Sequence, residues 1–172
     1  FNFWRLEFLI VLITLFLSIH CFGQEVNCDN VYKIEIPKNM YLMDYNTDAV
    51  FEIANYVDEK YLMVIHESKL EYKKVLDLSK ESILDEFVNT ISNNLNESFN
   101  STAKIYDFSF KNYNAKKIEI EGESDGVFMI WHTIAVESSL NLFQICYWTV
   151  QGDNSQEKLT ELYDITKTFK IN

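Results

Sequence analysis

His66, His132, Cys28, Cys146 and a string of carboxylates at Glu119, Glu121, Glu123 and Asp125 are the side chains after residue 23 whose chemistry reaches beyond packing. His132 lies between Trp131 and Thr133 in an otherwise apolar stretch, and Cys146 lies in the apolar stretch that follows. A hairpin joining the two would bring a thiol towards an imidazole, the start of a small thiol or hydrolytic enzyme. Such a nucleophile also needs a group to orient the base and donors to hold an oxyanion. The sequence signals neither, so a hydrogen-bonded strand histidine is the plainer reading of His132. Glu119, Glu121 and Glu123 share one face if their strand persists, with Asp125 in the turn beyond. Hard cations take about six to eight oxygens from clusters of this kind, which makes an acidic divalent-cation-binding module a second alternative. Carboxylates two apart on a strand do not converge on a point, and a solvated face explains them as well. Residue types and spacing therefore assign no catalytic, cofactor-binding or metal-ligating residue.

Cys28 and Cys146 match no zinc spacing, and in an oxidising compartment an even pair is a possible disulfide, bridged or free. A disulfide closing so long a loop contributes on the order of 4–5 kcal/mol in the chain-entropy picture. It requires the strand after Cys28 to lie near the hairpin that carries Cys146. Aromatic residues offer binding rather than catalysis. Tyr41, Tyr45, Tyr56 and Tyr61 fall in an early loop and hairpin, where exposed rings with a polar rim make a protein-binding patch. A hairpin symmetric about Ser139 and Leu140 sets Trp131 opposite Trp148, either as an exposed platform or, more simply, as a pair buried under a helix. Asn96-Glu97-Ser98 and Asn100-Ser101-Thr102 match the glycosylation acceptor pattern, which has meaning only in a eukaryotic secretory pathway.

The elements that position these residues follow from periodicity. Residues 31–36 alternate and stop at Pro37, the only proline, which marks a first strand. Residues 50–57 and 61–67 flank Asp58-Glu59-Lys60 as a hairpin. Ser79 is a candidate N-cap for a helix reaching about Leu95, with Ile83, Leu84, Phe87, Val88, Ile91 and Leu95 on one face. Strands are expected at 103–110, 115–121, 127–137 and 142–150, with a turn between Gly122 and Gly126. The last two are apolar on both faces and must be covered on both sides. A final helix starts near Asn154, with Glu157 placed for a capping box. The result is an α+β fold, a largely antiparallel sheet of about seven strands with a helix packed on each side.

Residues 1–23 read as a secretory signal peptide: Arg5, an apolar run from Phe8 to Leu17, then Cys21 and Gly23 as the small residues before a cut. A spanning anchor needs about 20 apolar residues and this run is shorter. A lipid on Cys21 wants a small residue where His20 stands. Arg5 and Glu7 are the only charges in the segment, so its removal leaves the net charge at −11. The remaining 24–172 is expected to be one domain. Its acidity argues against nucleic-acid backbone or anionic lipid as partners, because both need clustered Lys and Arg.

In its order of elements the chain resembles the PsbP-like superfamily, which includes the DcrB-type bacterial envelope proteins. The resemblance is carried by Tyr32-Lys33-Ile34-Glu35-Ile36-Pro37, the early hairpin, the amphipathic helix, the strand at Lys117–Glu121, the long hairpin and a closing helix near Thr168-Phe169-Lys170. After Pro37 the chain departs from the pattern, with Lys38-Asn39-Met40-Tyr41 where Gly and Trp are frequent. The resemblance implies a small non-enzymatic domain that binds or supports a larger complex. The expected function is accordingly an exported binding or accessory protein, secreted or periplasmic, without cofactor, whose partner is a protein of the cell envelope or exterior.

Overall fold

The computed structural model describes residues 23–44, 49–75 and 82–172. Residues 1–22, which hold nearly all of the expected signal peptide, and Tyr45 and Ser79 lie outside the described residues. In chain order the elements are β1 (Gln24–Cys28), β2 (Tyr32–Ile36), β3 (Tyr41–Leu42), β4 (Phe51–Asn55), β5 (Lys60–Ser68), α1 (Lys69–Val75), α2 (Ile83–Phe99), β6 (Lys104–Phe110), β7 (Tyr113–Ser124), β8 (Val127–Glu137), β9 (Asn141–Val150), α3 (Ser155–Thr166) and β10 (Lys170–Ile171). Seven strands form one antiparallel sheet in the order β3-β4-β5-β9-β8-β7-β6. Helix α2 packs on one face over β7 and β8, and α3 packs on the other over β9 and β5. The fold is α+β, as the alternation of the strands requires.

The expected first strand, β2, does not join that sheet. It pairs with β1 on one side and β10 on the other, making a small three-stranded sheet of its own. Together with α3 it covers the β4–β5–β9–β8 face, where Tyr32, Ile34, Phe143, Ile145, Leu162 and Phe169 close the larger core. The seventh place in the large sheet goes to the two-residue strand β3. A smaller core of Leu84, Phe87, Ile91, Leu95, Ile118 and Ala135 lies beneath α2.

Turn chemistry sets the registers. Asp125 and Gly126, both at positive φ, join Ser124 to Val127 as a two-residue hairpin, the arrangement that matches strand twist. Gly122 therefore sits inside β7 rather than at the turn. A Cβ there would stand 3.0 Å from the Phe99 carbonyl oxygen, so glycine is what lets the end of α2 approach the sheet. Helix α2 is capped by Ser82, whose Oγ accepts from the Asp85 amide at 3.1 Å, three residues later than expected. Asn154 heads α3 but makes no side-chain cap bond, so the capping box with Glu157 does not form. Instead the Ser155 hydroxyl is held by the Gly152 backbone.

Candidate functional site

Direct cross-strand partners share a face of a sheet. The register places Tyr41 beside Ala54, Ala54 beside Tyr61, Tyr61 beside Trp148, Trp148 beside Trp131, and Trp131 beside Ile120. These six positions cross six strands in one row on the α2 face. Their rings form a stack: Trp131 on Trp148 at 4.2 Å and 18°, and Trp148 on Tyr61 at 5.4 Å and 12°. Tyr56 closes one end edge-on to Tyr61 at 5.9 Å, and Phe99 of α2 closes the other against Trp131 at 6.2 Å. Each offset ring pair contributes about 0.5–1.5 kcal/mol beyond the area it buries. The Trp131 indole also donates to Thr133 Oγ1 at 3.0 Å.

Helix α2 covers the Trp131 end, and the row emerges from beneath it towards the β3 edge. Tyr41 is 66% exposed and Tyr56 53%, with Leu42 and Val57 also in solvent at that edge. Three of the four tyrosines expected to make a binding patch thus stand together at the open end of the row. Tyr61 is half-buried, and burial with the nearby Glu59 charge raises its hydroxyl pKa. Spacing alone missed the continuation into Trp148 and Trp131, a pair left open between an exposed platform and burial under a helix. The signal was present: the symmetric hairpin pairs them, and the β4–β5 turn carries the row on to Tyr61.

The opposite face of the same strands is polar near β7. Lys104, Glu119, His132 and Tyr147 form the corresponding row there. They line or flank a cleft of about 220 Å³ with Ser101, Thr102, Glu121 and Gln156. Glu119 Oε1 lies 2.5 Å from Lys117 Nζ and 3.8 Å from His132 Nε2. Burial, aided by the Lys117 charge, pushes the His132 pKa down to about 4. Burial works to raise the Glu119 carboxyl, but the Lys117 bond and the His132 charge outweigh it and hold the carboxyl low. Glu119 is thus committed to its neighbours, and Glu121 and Glu123 extend along the strand. Among the described residues no three His, Cys, Asp or Glu side chains converge as a metal site.

The expectation that pairs thiol with imidazole is corrected. His132 faces the polar side beside Tyr147, whereas Cys146 faces the α2 side beside Thr133, so the sheet itself stands between imidazole and thiol. Cys146 is fully buried, bonded to Thr133 Oγ1 at 3.3 Å and Gln144 at 3.1 Å, and burial pushes its pKa up to about 11. That is the environment of an inert thiol. Cys28 lies at the end of β1 in the larger core, on the other side of the sheet from Cys146. Of the two states left open for the pair, the structure has both as free thiols. His66 is on the polar-face register too, against Tyr32 and Phe143, and burial lowers its pKa.

No protein-family model matches the sequence, and no curated protein matches it. Solved structures do. LpqN of Mycobacterium tuberculosis, described as involved in cell envelope biogenesis, superposes with a TM-score of 0.55 at 12% identity, over 87% of this chain and 85% of that one. The cyanobacterial PsbP of Synechocystis sp. PCC 6803 gives 0.54 at 11%, over 88% and 94%. The Saccharomyces cerevisiae Ran-binding protein Mog1p gives 0.54 at 8%, over 88% and 96%. The chain also spans about half the length, 48%, of a Bacteroides thetaiotaomicron protein that matches at 0.56 and 8%. The seven-stranded sheet, its two packed helices and the small sheet at its side are the fold that this chain shares with these solved structures.

Proposed function

We propose that this chain is an exported, non-enzymatic binding or accessory protein that holds a protein partner through the exposed end of its aromatic row. The observation that carries this reading is the row itself. Six adjacent strands align Tyr41, Ala54, Tyr61, Trp148, Trp131 and Ile120, and the outermost rings stand in solvent. Anchors of this kind, rigid aromatics with a packed base and a polar surround, concentrate binding energy at protein interfaces. Two neighbours in fold lend support: one is a Ran-binding protein and another takes part in envelope biogenesis. Export follows from the leader. Among the described residues no helix is long and apolar enough to cross a membrane. The mature domain starts at Gln24, the first residue of β1, and partners at anionic lipid or nucleic acid are disfavoured by the charge of −11. No turnover is expected, because His132 and Cys146 act on opposite faces. The test is co-purification of envelope partners from the native host with wild-type and Tyr41→Ser/Tyr56→Ser protein. Loss of the captured partner from the folded double variant is expected. Undiminished capture would sink the reading.

A further inference from the structure

The two edges of the large sheet differ in length. The β3 edge is two residues long, whereas β6 presents seven, Lys104–Phe110. The ladder tells which β6 backbone groups face outward. Ser138 donates to Asn141, and Gln151 to Phe128, so the even residues of β8 bond to β9 and its odd ones to β7. The same alternation carried across β7 leaves the even residues of β6 bonded to β7. Ile105, Asp107 and Ser109 therefore point both N–H and C=O away from the sheet. The next outward amide, Ala103, is taken by Asn96 Oδ1 at 2.6 Å, which ends the open edge there. Such an edge is usually blunted by proline, a bulge or an inward-pointing charge. Here residues 104–110 are regularly paired with β7 throughout, contain no proline, and carry exposed Ile105 and Tyr106; their two charges, Lys104 and Asp107, lie on opposite faces, so Asp107 is the charge of β6 on the α2 face.

We propose that β6 accepts an extended, basic segment of a partner protein as an eighth strand. Charge decides the occupant. Asp107, at the middle of the edge, has a 98% exposed side chain and lies 3.7 Å from Lys116, which Asp85 already holds at 2.7 Å. A Lys or Arg set opposite Asp107 gains a cross-strand ion pair. A second copy paired antiparallel along the same edge does not supply one: the residues it brings opposite Asp107 are Ala103, Ile105, Asp107 or Ser109, and each copy carries −11. A basic segment is instead drawn in by that charge. This surface is distinct from the aromatic row and shares with the function above only a protein as partner.

The probe is a capped ten-residue peptide of alternating lysine and valine, titrated at low salt and followed by amide hydrogen exchange and NMR. Binding should slow exchange at Ile105, Asp107 and Ser109 and leave the Tyr41–Tyr56 end unmoved. Ser109→Pro, which removes one outward N–H, should weaken binding roughly tenfold. Asp107→Lys leaves every amide in place and should transfer preference to the glutamate–valine peptide. Binding that spares these three amides, binding unchanged in Asp107→Lys, or concentration-dependent self-association protecting the same amides would overturn the proposal. Because the probe is a defined peptide, failure here leaves the aromatic-row reading standing, and the reverse.

Discussion

Trp131 and His132 are neighbours in β8, yet they belong to different regions. On the Trp131 side the rings from Phe99 through Trp131, Trp148 and Tyr61 to Tyr56 are each in contact with the next, and Ala54 carries the row on to Tyr41. On the His132 side the neighbours are Lys117, Glu119 and a water-accessible cleft. Around the ring row the strands are held by apolar packing that pH and salt touch little. The opposite face is apolar where α3 and the small sheet cover it, and near β7 it carries charges whose worth changes with protonation. The difference teaches that a single strand can carry a rigid aromatic ridge and a titrating surface, separated by one peptide unit.

Four measurements break or sharpen that contrast. Trp148 sits between Trp131 and Tyr61, so Trp148→Ala should cost about 3 kcal/mol in denaturant unfolding. A cost near zero would show that the ridge is ornament to the fold. His132 gives the next effect. Its pKa is about 4 against an ordinary 6.5, so between those values the unfolded chain binds more protons than the folded one. Stability therefore falls as pH drops from about 6.5 to about 4, by at most about 3 kcal/mol from this group. His66, also lowered, adds to the loss with the same sign. His132→Gln should flatten the profile in that window, while Trp148→Ala should lower it without changing its slope. Gly122→Ala pushes a methyl group against the Phe99 carbonyl and should cost about 1 kcal/mol. The smallest change is expected at the rim: Tyr41→Ser with Tyr56→Ser should move stability by about 0.5 kcal/mol or less per site, although partner binding is lost.

Much of this was legible in the residues. Period-two alternation located β2 and β4–β9, and the symmetric loop at Ser138–Asn141 fixed Trp131 opposite Trp148. The same pairing sets His132 opposite Tyr147 and Cys146 opposite Thr133. Parity already separated the imidazole from the thiol, although both lie in one hairpin. What alternation cannot show is which sheet a strand joins. β2 reads like any half-buried strand, and only β1 and β10, from the two ends of the described chain, reveal that it lies in another sheet. Strand β3 is too short to leave a periodic trace. Helix α1 follows β5 without a break, so no turn residue announces it. The residues of the proposed binding surface were half visible for the same reason: tyrosines in loops stand out, whereas the exposure of a strand tryptophan depends on where α2 ends.

The small sheet sets an order of events. β2 needs β1, made before it, and β10, made some 130 residues later, with Asn172 N–H closing onto the Val31 carbonyl at 3.0 Å. Until the last strand has been delivered, Tyr32 lacks Phe169, its nearest ring at 5.1 Å, and one side of the larger core stays open. Closing a loop of that length is slow relative to forming the hairpins between. The hairpin sheet and α2 can thus assemble early, while the final seal waits for the whole span. Until that strand is made the chain remains an incomplete intermediate, and it locks only when β10 docks on β2.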